Sequence, residues 1–123
     1  VAYINPAAYD LALSWIDTNG TRLEICSAEP ANYAGIAAVA LGNKTPPNIG
    51  APANGAVNGR RVTIAAITDG SVTATGTATH WALHNGSNTL VASGSLPSSQ
   101  GVTNGNTFTL PAFDVTIPDA VDA

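Results

Sequence analysis

The sequence predicts a mainly β protein: a single antiparallel β-sandwich or barrel-like domain with one short N-terminal helix and a long Gly/Pro/Ala-rich arm. Three observations lead there. Runs rich in Val, Ile and Thr, with apolar and polar residues alternating, occupy about 21–28 and 60–118, and that period of two belongs to half-buried strands. Helix punctuation occurs before the first of these runs, and a stretch at 32–59 rich in Gly, Pro, Ala and Asn separates the two. At 123 residues the chain can build one core but not two independent ones.

In chain order the helix comes first. NPAAYDLALSWIDTNG offers Asn5 as N-cap, Pro6 at the first helical position, where a missing N–H costs nothing, and Gly20 beyond the last turn. A helix over about 6–18 follows, with Tyr9, Ala12, Leu13 and Ile16 on one stripe, Trp15 at its edge, and a sheet as its expected support. TRLEICSA then points Leu23 and Ile25 one way, and RRVTIAAI does the same with Val62, Ile64 and Ala66.

Between these strands, 32–59 is far longer than the usual connection of about four to six residues. Tyr33, Ile36, Val39 and Leu41 have roughly helical spacing and 45–59 has no period, so a short helical turn followed by an extended arm is expected. Apolar side chains in a mobile loop mark a partner surface. The expected partner contacts are therefore Tyr33, Ile36, Val39, Leu41, Lys44, Pro46, Pro47 and Ile49.

Downstream, TDGS at 68–71 is expected to turn, SVTATGTATHWALH to form a long strand bulged near Gly76, and NGSN to turn into TLVASGSL. PSSQGVTNGN is a second turn-rich connection. NTFTL and AFDVTI supply the last strands, divided by Pro111 and stopped by Pro118, and the tail DAVDA is expected to fray.

Composition narrows function. Only 10% of residues are charged, against roughly 25% in ordinary soluble domains, so Thr, Ser, Asn and Gly must supply the polar surface. That balance suits a protein that lives outside a cell or packs into a large assembly rather than a soluble metabolic enzyme. Four Lys and Arg against eight Asp and Glu leave no basic stripe for a phosphate backbone, which argues against a nucleic-acid partner; Arg60-Arg61 is expected to be a solvated strand end. No apolar run approaches the roughly 20 residues of a membrane span, so no membrane partner is expected. Cys26 stands alone, so no internal disulfide can form, and its setting suits a buried strand cysteine better than a nucleophile.

Chemistry is sparse. His80 and His84 flank Trp81, and on a helix they could grip one ion. On a strand, as the β-branched residues before them and the Asn-Gly step after them require, they stand about 13 Å apart and cannot. Trp81 and Leu83 then share one face, and His80, Ala82 and His84 the other. The sequence lacks HExxH, CxxC, GxSxG and GxxxxGK[ST], and its acidic residues are scattered, so no enzyme, metal or cofactor is expected. Asp69 is the acid that could orient His84 as a base, but no nucleophile is placed beside them.

The segments LEICSAEPANY, LGNKT, GRRVTIAAITDGSVTATGTATHWALHNGSNTLVASGSL and VTNGNTFTLPAFDVTI together resemble small virion structural proteins of tailed bacteriophages, described as head decoration or tail-fibre-like. The likeness runs from about Leu23 to Ile117 and rests on structural motifs. It implies a β module that binds other virion proteins. The reading it favours is a capsid decoration or cement protein on the major capsid protein lattice, assembled in the bacterial host cytoplasm and carried on the capsid surface as a homo-oligomer such as a trimer. A tail or fibre component is the alternative. A carbohydrate-binding module is a third reading; it needs exposed aromatics, and most of Trp15, Trp81, Tyr3, Tyr9 and Tyr33 are expected in core or arm.

Overall fold

The computed structural model describes residues 2–121. Helix α1 (Pro6–Asn19) starts where the sequence marks it, with Asn5 Oδ1 accepting the Ala7 N–H at 2.9 Å, and it closes with the Gly20 N–H on the Ile16 carbonyl at 2.7 Å. It meets the sheets through a narrow seam of Tyr9, Leu13 and Ile16, at i, i+4 and i+7. Ala12, expected on that stripe, is exposed, because the seam leaves it to one side.

The remaining elements are β1 (Arg22–Cys26), α2 (Tyr33–Val39), β2 (Ala40–Lys44), β3 (Ala53–Asn54), β4 (Arg60–Ile64), β5 (Ile67–Val72), β6 (Gly76–His84), β7 (Leu90–Val102), β8 (Thr107–Leu110) and β9 (Phe113–Ile117). The fold is mainly β, as the sequence predicts. Six strands in the order β7-β6-β1-β2-β5-β8 make a curled antiparallel sheet, half of a barrel, and β3-β4-β9 make a second, small sheet. Leu23, Ile25, Trp81, Leu83 and Phe108 from the large sheet meet Ile64 from the small one in a single core, and the Trp81 and Phe113 rings join the sheets with centroids 4.8 Å apart.

Two glycines make room for these aromatics. Gly94 pairs with Trp81 across β6 and β7, and a Cβ there would lie 2.8 Å from the indole nitrogen. Gly70 pairs with Phe108 across β5 and β8, and its Cβ would meet the ring within 2.5 Å. In each pair the ring lies across bare backbone.

The arm expected at 32–59 does not exist as one free segment. Its first half is α2 and then β2, which sits between β1 and β5 with Leu23 opposite Lys44 and Ile25 opposite Gly42. The reason is pairing: without LGNK, β1 and β5 would each present an unpaired edge, and buried backbone groups need partners. The second half returns along the small sheet, through a bridge between Ile49 and Ile64 and the short strand β3 on β4.

Other expectations change in the same way. TDGS is an irregular part of β5 rather than a turn, because Gly70 must lie flat under Phe108. The long strand breaks at 73–75, where the Thr73 and Ala74 N–H groups both donate to the Leu41 carbonyl. PSSQGV belongs to β7, and the turn is confined to 103–106, with Gly105 at φ +90°. Asp119 and Ala120 of the tail are tied down: the Gly59 N–H donates to Asp119 Oδ1 at 2.9 Å and the Ala120 N–H to the Tyr9 hydroxyl at 3.1 Å. The last two tail residues lie outside the described range. Among the described residues no helix is long and apolar enough to cross a membrane.

Candidate functional site

Strand β1 points Leu23 and Ile25 into the core, so Arg22 and Glu24 point to the opposite face. On most of a half-barrel that face meets water. Here α2 covers it: Asn32 caps the helix, its Oδ1 accepting the Gly35 N–H at 2.9 Å, and Ile36 sinks to 5% exposure. A carboxylate in mid-strand is thereby enclosed, with Glu24 5% and His84 4% exposed. Enclosed charge demands partners.

The β1–β6 register supplies them. Arg22 pairs with His84 and Glu24 with Ala82, so all three polar side chains stand on one face as near neighbours. Arg22 Nε donates to Glu24 Oε1 at 2.8 Å, and His84 Nε2 lies 3.4 Å from the same oxygen. The Gly86 N–H donates to His84 Nδ1 at 3.0 Å, which fixes the tautomer: the ring proton sits on Nε2 and faces Glu24. Burial holds the imidazole's pKa below its usual value, against the opposing pull of Glu24, and keeps it neutral near pH 7. Tyr33 meets the imidazole edge-on, with centroids 5.6 Å apart, and completes the wall of a pocket of about 360 Å³.

This arrangement limits the chemistry of His84. One nitrogen accepts a backbone N–H and the other carries a proton toward a carboxylate, so no lone pair is left for a metal or for general-base work. Cys26 lies on the same strand, fully buried, and burial together with the Glu24 charge pushes its thiol up to about 12, which makes it a poor nucleophile. Asp69, expected as a partner for His84, instead binds Lys44 Nζ at 2.9 Å. His80 turns to Thr79 and Glu29, and among the described residues no three His, Cys, Asp or Glu side chains gather as metal ligands.

The residues expected to form a partner surface are dispersed. Tyr33 and Ile36 come to the pocket. Leu41 is in the core at 7% exposure, Pro47 is buried, Val39 is half-buried with its carbonyl on the Ser27 N–H, and Ile49 bridges to the small sheet. Lys44 is held by Asp69, and Pro46 alone is freely exposed.

Exposed apolar surface lies elsewhere. Leu11 and Trp15, one turn apart on α1, are 75% and 50% exposed. Tyr3, Ile4 and Val57 stand at a groove of about 560 Å³ between the N-terminal segment, the β3–β4 turn and residues 119–120. All four Lys and Arg side chains are in ion pairs, including the expected solvated pair: Arg60 joins Asp10 at 2.8 Å and Arg61 joins Asp114 at 2.7 Å.

Sequence reasoning missed Arg22 and Glu24. Glu24 and His84 are 60 positions apart, and only the strand register joins them. The available signal was an acidic residue centred in LEIC, followed by a short helical pattern able to cover it. Comparison with family models, curated proteins and solved structures finds no match to this chain.

Proposed function

We propose that this protein is a virion structural protein that docks on other virion proteins, with the capsid decoration or cement role on the major capsid protein as the preferred form. The observation that carries the reading is the division of its surface. Every Lys and Arg side chain is in an internal ion pair, while Leu11, Trp15, Tyr3, Ile4 and Val57 remain exposed. A surface of that kind associates by apolar burial, and exposed aromatics are the usual energetic centres of such contacts. The resemblance of the THWAL, LVASGSL and GNTFTLPAFDVTI segments to phage virion proteins supplies the assembly. Docking falls to α1 and the adjoining groove, to which the end of 32–59 contributes Val57.

The test is addition of purified protein to capsids that lack it, with binding measured by co-sedimentation. Apolar docking predicts affinity that changes little when salt rises from about 0.1 M to about 1 M, although the Debye length falls from about 10 Å to about 3 Å. Leu11→Asp and Trp15→Ala should each weaken binding at least about tenfold while leaving the fold intact. Binding abolished by salt and untouched by both substitutions refutes the docking face. Binding to tails instead of capsids transfers the role to the tail-component alternative.

A further inference from the structure

The pocket beneath α2 has no part in that docking face. We infer that it binds a neutral saccharide, gripping adjacent hydroxyls of one sugar ring between Arg22 and Glu24.

Three features of the pocket carry this. The first is an unfinished carboxylate. Glu24 is 5% exposed, and among the described residues its side-chain hydrogen bonds all go to Oε1, which leaves Oε2 facing solvent with no partner in the protein. That oxygen is open to the pocket, where a ligand hydroxyl can take the place of water. Beside it, Arg22 uses only Nε, and among the described residues its two terminal nitrogens, on a side chain 41% exposed, have no acceptor. The pocket therefore presents donors and an acceptor side by side. A vicinal diol matches that pattern, since each hydroxyl both donates and accepts.

The second feature is charge. Arg22 and Glu24 cancel and the imidazole is neutral, so an anion meets the carboxylate and a cation meets the guanidinium. Phosphates, uronates and amines gain little here. The third is shape and lining. At about 360 Å³ the pocket falls in the range of small-molecule sites, and it is larger than a single docked side chain requires. Tyr33, Ile36 and Ala37 give apolar lining for the C–H face of a ring, and Thr73 also lines the pocket.

The inference does not rest on the docking reading, and the experiments separate them because none of these residues belongs to α1 or its groove. The intact protein, labelled with nitrogen-15, is titrated with glucose, galactose, mannose and N-acetylglucosamine, and in parallel with glucuronate and glucosamine. At least one neutral sugar should shift the Tyr33, Ala37, His84 and Gly86 amides along a saturating curve, with a Kd on the order of 1 mM. Ala37→Phe, which places a ring in the pocket from an exposed helix position, should weaken that binding at least about tenfold with the core resonances unmoved. Glu24→Gln should do the same, and if it fails to fold, Ala37→Phe still decides. No saturable shift by any neutral sugar up to about 50 mM overturns the inference, as does stronger binding of the charged sugars or full binding by Ala37→Phe.

Discussion

Truncating Leu41 separates a core strand from a mobile arm. The side chain is 7% exposed, belongs to the common core, and lies against Gly76, where a Cβ would sit 3.1 Å from its terminal carbon. Leu41→Ala removes three carbons, worth about 2.4 kcal/mol at roughly 0.8 kcal/mol each. Strand β2 is held on both sides by β1 and β5, so the site cannot collapse to fill the void. The cavity raises the cost to about 3 kcal/mol, inside the usual range for buried leucines. With a urea dependence of about 2 kcal/mol per molar, the unfolding midpoint should fall by about 1.5 M. Tryptophan fluorescence can follow the transition, because Trp81 sits in the core. Val57→Ala, in the same stretch but 94% exposed, should move the midpoint by no more than about 0.2 M. If Leu41→Ala behaves like Val57→Ala, β2 is not part of the cooperative core and the reasoning fails.

Further expectations follow from the same geometry. Gly70→Ala should destabilise by about 1–3 kcal/mol in urea unfolding, since the new methyl collides with the Phe108 ring; an unchanged midpoint would show that the ring is not held there. Cys26 should react with a thiol reagent only at the rate of unfolding, and rapid labelling of native protein would contradict its burial. His84 has a folded pKa below its unfolded value, so the unfolded chain binds the extra proton. Its contribution to stability is complete above about pH 6.5 and declines as pH falls from there toward the folded pKa. The urea midpoint should drop between about pH 7.5 and pH 5, and His84→Gln should flatten that slope; an equal slope in the variant assigns the effect elsewhere.

Much of the architecture was legible because it is local. Asn5, Pro6 and Gly20 mark α1, and the alternation in HWALH puts Trp81 and Leu83 in the core. What sequence could not give was pairing between distant segments. LGNK carries Gly and Asn, which weaken any strand pattern, and becomes a strand because β1 and β5 lie on either side of it. TDGS has the composition of a turn, yet the need for bare backbone beneath Phe108 keeps it in β5. The pocket was hidden for the same reason. Alternation in LEIC sets Glu24 outward, and α2, the short helical turn expected at the head of the arm, folds back and encloses it. The apolarity that marks Ile36 and Leu41 as expected partner contacts is the property that buries them.

The most direct test of the proposed role is a reconstruction of the virion that carries this chain, at a resolution that shows side chains. One density per docking position should recur across the capsid lattice, with Leu11 and Trp15 of α1 pressed against the major capsid protein. Density confined to the tail, or capsid-bound density with α1 turned to solvent, would contradict it.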